Sequence, residues 1–208
     1  MRTSALPHST ASELRASFSY RASTVVIGAS AGGVEALLTL LPGLPADYPL
    51  AIVAVLHLPE DRESVLAKVF SSRCAMRVVE AVDKQALEPG TIHFAPPGYH
   101  LLIEGGGTFA LSCDAPVRFS RPSIDVLLDS AADAMGDKLV AVLLTGTNED
   151  GARGMAYAAK GGALTIVQDP NDAQICDMPA AAIRLQKPTY ILALKDILTL
   201  MKKLEFSQ

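Results

Sequence analysis

The chain has 208 residues, half of them hydrophobic and 19% charged, with 18 Lys plus Arg against 22 Asp plus Glu and a formal net charge of −4. That length supports one compact domain with a sizeable core, and the acidic balance gives no global attraction to nucleic acid. No polybasic segment and no run of 18 or more apolar residues is present, so nucleic-acid binding and membrane insertion are not expected. Cys74, Cys113 and Cys176 are odd in number, far apart and form no CxxC pair. They are read as free thiols in a reducing, cytoplasmic compartment, with neither a disulfide framework nor a zinc site. Residues 1–22 carry Ser, Ala and Arg without a continuous apolar stretch. They are read as a flexible leader, and residues 23–208 as the folded domain.

In chain order, Val25-Val26-Ile27 is a short β-branched strand that ends at Gly28. Residues 33–41 carry apolar side chains at helical spacing and stop at Pro42-Gly43. Leu50–Leu56 is a continuous apolar run, as in a strand buried on both faces. A helix is predicted over Glu63–Phe70 and a strand over Met76–Val79. Three short strands, Thr91–Ala95, His100–Ile103 and Thr108–Leu111, follow at spacings that call for hairpin turns, so an antiparallel patch is expected. Ser123 reads as the N-cap of a helix to Met135. Leu139–Leu144 is the strongest strand, and Gly151–Lys160 is helical up to Gly161-Gly162. Ala163–Val167 is extended, and Pro179 opens a helix to Leu185. Tyr190–Leu194 is extended and Asp196–Leu204 closes the chain as a helix. Strands alternating with helices imply an α/β doubly wound, mostly parallel sheet with helices on both faces and a hairpin-rich antiparallel edge.

Three strand ends carry residues suited to chemistry, and in such a sheet the site lies beyond the carboxyl ends of the strands. Gly28-Ala29-Ser30-Ala31-Gly32-Gly33 fits G-x-S-x-G, the strand-to-helix turn that exposes a serine hydroxyl above unpaired helix N–H groups. A dinucleotide loop would need glycine where Ser30 stands, and a phosphate loop would need Gly-Lys where Gly33-Val34 stands. The bland alternative is a glycine-rich turn with a serine cap. His57 closes the second strand, with His93 and His100 as rival bases. Asp150, after Thr145-Gly146-Thr147-Asn148-Glu149, is either a plain helix cap or the residue that orients a catalytic histidine.

The segments IGASAGGVEAL, HLPED, FAPPGYHLLIE, RPSIDVLL, LLTGTNEDGARGM and QDPNDAQICDMPAAA occur in this order over about residues 24–203. Together they resemble the signature blocks of the CheB-type catalytic domain, the protein-glutamate methylesterase of bacterial chemotaxis regulators. The resemblance implies Ser30 as nucleophile, His57 as general base and Asp150 as its orienting acid. Backbone N–H groups of Ala31, Gly32 and Thr147 would support the oxyanion, and neither cofactor nor metal is expected. It further implies hydrolysis of glutamate γ-methyl esters, and deamidation of selected glutamines, on the cytoplasmic helices of methyl-accepting chemoreceptors. The chain departs from the family in having Ala31 where Thr is usual and Thr147-Asn148 where Met-Gly is usual. The family's usual N-terminal receiver domain would not fit in the short leader, so control by a separate regulatory protein is one expectation. Two alternatives are an esterase acting on another protein or a small ester, and a non-catalytic receptor-binding module of the same fold.

Overall fold

β-branched and aliphatic runs become strands, and the apolar-periodic segments between them become helices. The computed structural model of the protein describes residues 20–57 and 65–206. In chain order these are β1 (Tyr20–Ala22), β2 (Thr24–Ala29), α1 (Gly33–Leu40), β3 (Ala51–Leu56), α2 (Leu66–Ser71), β4 (Arg77–Glu80), β5 (Thr91–Phe94), β6 (His100–Ile103) and β7 (Phe109–Ser112). Then come α3 (Ile124–Met135), β8 (Leu139–Leu143), α4 (Ala152–Lys160), β9 (Leu164–Gln168), α5 (Asp177–Leu185), β10 (Tyr190–Leu192), α6 (Leu194–Met201) and β11 (Leu204–Phe206). Seven strands form one sheet in the order β10-β9-β8-β2-β3-β5-β4. Every neighbouring pair in it is parallel.

Residues of β2 and β3 are buried on both faces, and their alternation divides the core in two. Val25, Ile27 and Ala29, with Ile52, Ala54 and Leu56, pack against α1, α2 and α6. Val26, Val53 and Val55 face the opposite way, against α3, α4, α5 and the hairpin. Phe70, Phe94 and Phe109 are completely buried, each contributing roughly 1.5–3 kcal/mol through area removed from water. Gly28 permits α3 to lie directly on the sheet, because a Cβ there would stand 2.4 Å from Ile124 Cγ2. That close approach brings the N-terminus of α3 to the carboxyl ends of β2 and β8.

After β3 the chain continues toward one edge, whereas β8, β9 and β10 lie on the other side of β2. The order therefore reverses between β2 and β8, and such a switch point is where parallel α/β sheets open a crevice for ligands.

Several boundaries differ from the sequence reading. Thr91–Phe94 is a parallel strand between β3 and β4, while β6 and β7 pair antiparallel in a separate two-stranded sheet. All four residues of Thr91–Phe94 are buried, as a parallel strand in the interior of a sheet requires. α5 begins at Asp177, two residues before Pro179, because Pro fits anywhere in a first helical turn. The closing helix ends at Met201, and Leu204–Phe206 pairs in parallel with Tyr20–Ala22. Tyr20–Ala22 thus forms a strand within the stretch read as leader, and Ala22 is completely buried. The first nineteen residues of that leader, and positions 63 and 64 of the expected helix, lie outside the described residues.

Candidate active site

Ala29 of β2 pairs with Leu56 of β3, so the next residues, Ser30 and His57, emerge side by side at the carboxyl rim. His57 N–H still donates to Ala29 O at 3.2 Å, and Ser30 N–H donates to Thr145 O, beyond β8, at 3.0 Å. Three adjacent strand ends therefore deliver the Ser30 turn, His57 and the 145–150 loop to one place. His57 and Asp150 are bonded directly, Nε2 to Oδ2, at 2.9 Å.

Asp150 is completely buried and accepts three further hydrogen bonds. Its Oδ2 takes the Ile124 N–H at 2.7 Å, and its Oδ1 takes the Asp125 N–H at 3.0 Å and the Ser123 hydroxyl at 2.9 Å. The carboxylate caps α3, which is a neighbouring helix and not its own. Burial alone would raise its pKa. The bonds from His57 and from the backbone N–H groups of Asp125 and Ile124 outweigh it and hold the group below the ordinary carboxylate value. Asp125 returns the contact, because its Oδ1 accepts Gly151 N–H at 3.0 Å and Gly154 N–H at 2.7 Å, capping α4. Gly154 makes this possible, since a Cβ there would stand 2.7 Å from Leu128 Cβ. Asp150 thus satisfies the N-terminus of the helix that contains Asp125, and Asp125 that of the helix that follows Asp150, which fixes the backbone on both sides of Asp150.

With Asp150 ionised, His57 donates through Nε2–H and carries its lone pair on Nδ1. Ser120 Oγ lies 3.4 Å from Nδ1. Ser30 Oγ makes no hydrogen bond among the described residues, and Nδ1 is the His57 nitrogen that does not face Asp150. The N–H groups of Ala31, Gly32 and Thr147 donate to no acceptor among the described residues, whereas Gly146 N–H is occupied by Ile175 O at 3.1 Å. Thr145 holds this loop against the serine turn. Its hydroxyl accepts from Ile175 N–H at 2.9 Å and stands 2.9 Å from Ala31 O and 3.1 Å from Ile175 O, between which its one proton is shared. Gln168 Oε1 in turn accepts Thr145 N–H at 3.0 Å.

The rival histidines occupy other places. His100 is buried and pinned, with Nε2 at 3.1 Å from Ala115 O and Nδ1 accepting Ser123 N–H at 3.1 Å. His93 is completely buried in β5 against Phe109, with ring centroids 4.9 Å apart and neither nitrogen bonded. Among the described residues, no group of three or more His, Cys, Asp or Glu is placed to hold a metal ion. No helix among them is long and apolar enough to cross a membrane.

The family model described as CheB methylesterase matches residues 25–201. The chain belongs to the CheB methylesterase family. This places it among the carboxylic ester hydrolases. Its match with the crystal structure of the Thermotoga maritima CheB methylesterase catalytic domain has a TM-score of 0.83 at 32% identity, covering 87% of this chain and 98% of that one. A Leptospira interrogans relative is 41% identical over 181 residues, 87% of this chain and 94% of the relative. A Dechloromonas aromatica protein named protein-glutamate methylesterase/protein-glutamine glutaminase 1 is 42% identical over 161 residues, 76% of this chain and 46% of that protein.

Sequence reasoning missed four contributors to this CheB-type site: Asp125, Ser120, Thr145 and Gln168. It read Ser123 only as a helix cap, which it is, its Oγ accepting Val126 N–H at 3.4 Å. Asp125 had a visible signal, an acidic residue in the first turn of α3, but nothing in its spacing pointed to a second helix.

Proposed function

We propose that the protein hydrolyses glutamate γ-methyl esters, and deamidates selected glutamines, on the cytoplasmic helices of chemoreceptors by a serine mechanism. Ser30 Oγ attacks the ester carbonyl as its proton passes to His57 Nδ1, and the imidazolium is stabilised through Nε2 by Asp150. The developing oxyanion accepts N–H groups from Ala31, Gly32 and Thr147. Collapse expels methoxide, which leaves as methanol with the proton from His57. Water then attacks the acyl-enzyme, giving its proton to Nδ1, and collapse releases the glutamate while His57 returns that proton to Ser30 Oγ, restoring both groups. For glutamine the departing group is ammonia.

The observation that carries this reading is the 2.9 Å His57–Asp150 bond at the rim beside Ser30, with the carboxylate held ionised by its four donors. A cytoplasmic location follows from the substrate. The test is methanol release from methylated receptor membranes with the native protein and with Ser30→Ala. The reading predicts release that Ser30→Ala abolishes, and fluorophosphonate labelling at Ser30. Labelling at Ser120, whose hydroxyl already stands near Nδ1, would overturn the assignment of the nucleophile. No reaction at either serine, with receptor binding retained, would make the protein a binding module.

A further inference from the structure

Phe119 has no part in the chemistry above, yet its position is tightly imposed. Ser120 N–H donates to Val117 O at 2.9 Å and Val117 N–H to Ser120 O at 3.1 Å, closing a two-residue turn. The central residues, Arg118 and Phe119, have φ of +49° and +62°. Side chains other than Gly, Asn and Asp seldom adopt this left-handed region, and two in succession are rarer still. Such strain persists only where neighbouring contacts impose it, and it gathers at functional sites. Both flanks of Phe119 are tied down. Ser120 Oγ reaches His57 Nδ1 at 3.4 Å, and Arg118 reaches Glu149 at 3.3 Å and Asp125 at 3.8 Å. The result is an aromatic ring held fully in solvent at the lip of the active site.

An isolated exposed apolar residue needs no explanation. A ring projected by a strained turn that touches the catalytic base gains nothing in the folded monomer, so its apolar area is realised only against a partner. Beside the turn lies a shallow cavity lined by Arg118, Glu149, Ala152, Ala181, Arg184 and the exposed Leu185. Arg118 stands 3.3 Å from Glu149 and 3.8 Å from Asp125, and Arg184 stands 3.8 Å from Glu149, so both cations are paired within the protein.

We propose that Phe119 is a specificity-determining contact for the protein that bears the ester: its ring packs on the apolar face of the polypeptide segment that carries the ester, with the exposed Leu185 of the neighbouring cavity continuing that surface. The proposal rests on the hydrolase reading above. A small ester satisfies the Ser30 turn without extending to this lip, whereas a side-chain ester on a helix brings neighbouring residues over it.

The experiment compares kcat/KM for a methyl-esterified chemoreceptor cytoplasmic fragment with kcat/KM for p-nitrophenyl acetate. The variants are Phe119→Asn, Phe119→Trp and, at the opposite end of the sheet, Phe206→Ser. Asn accepts the left-handed turn while removing the ring. Phe119→Asn is expected to lower the ratio of protein-ester to small-ester kcat/KM at least tenfold, mainly through KM. Phe119→Trp should keep the ratio within about threefold of native, and Phe206→Ser should leave it unchanged. An unchanged ratio in Phe119→Asn overturns the proposal, as does an equal fall in both activities, which would make the turn a support for His57 alone. A native protein that cleaves p-nitrophenyl acetate but never the receptor ester defeats the substrate reading and this docking role together. A native protein active on both, with an unchanged Asn variant, defeats only the docking role.

Discussion

Asp150 and His93 are both titratable and completely buried under the same sheet, and the fold treats them in opposite ways. Asp150 stands at a strand end where two helix N-termini converge, and it collects four hydrogen bonds that favour its charged form. His93 stands in the middle of β5 between Val53 and Val79, against Phe109, with neither nitrogen bonded. Burial pushes its pKa down, so it stays neutral. A charge can be kept inside a protein only by surrounding it with donors, and donors are plentiful where strands and helices end. In the middle of a strand the backbone groups are already paired with their neighbours. The rim can hold a working ion and the sheet interior can hold only an uncharged ring.

The sharpest way to break this contrast is to strip the rim. Ser30→Ala, His57→Gln and Asp150→Asn should each lower turnover by roughly three to six orders of magnitude, and the triple variant should be little worse than Ser30→Ala alone. Steady-state rates for the four proteins decide this, and full activity in His57→Gln would remove the base. A smaller loss is expected at Asp125, which braces the backbone beside Asp150 by accepting the N–H groups of Gly151 and Gly154. Asp125→Ala leaves the N–H groups of Gly151 and Gly154 buried without acceptors, at a cost of about 1–3 kcal/mol each. Asp125→Asn keeps an acceptor there and should recover most of the stability and rate, as urea melts and kcat would report. Equal behaviour of the two variants would mean that the cross-capping is irrelevant.

The pH dependence of stability separates the two buried groups. The folded-state pKa of His93 lies below the 6.5 of the unfolded chain. The unfolded state therefore takes up a proton that the native state refuses, and stability falls as pH drops below about 6.5, by up to roughly 1.4 kcal/mol per pH unit. His93→Leu should flatten that slope in urea melts between pH 6.5 and 5. Asp150 gives a slope of the same sign in a lower window, because its pKa is depressed from 3.8 and the unfolded chain again binds the proton more readily. Its contribution is complete above the unfolded value and is lost only as pH falls below about 4 through the native one. A slope that survives His93→Leu would assign the acid sensitivity to another group. The smallest effect is expected at the loops proposed to hold the oxyanion. Ala31→Thr and Thr147→Met leave backbone N–H donors in place, so kcat should change well under about a hundredfold, the scale of losing a whole donor.

Period and composition alone determined the parallel α/β class, the order of most elements, and the three strand ends that carry Ser30, His57 and Asp150. These are local properties: a buried parallel strand must be apolar on both faces, and a polar residue that ends it marks the rim. The same locality misled at Thr91–Phe94. Close spacing suggested a hairpin, whereas its partners, β3 and β4, were settled by which faces remained to be covered. Tertiary structure alone decided how Asp150 is held. Whether an acidic residue after a strand caps its own helix or a neighbouring one depends on how closely two helices approach, and here that distance is set by Gly28 and Gly154. It decided as well which imidazole nitrogen faces the carboxylate. Hydrogen bonds between residues 93 or 26 positions apart leave no periodic trace in a sequence. They exist because chain packing brings an unpaired donor and a buried acceptor within 3 Å, where leaving either unmatched would cost more than ordering both.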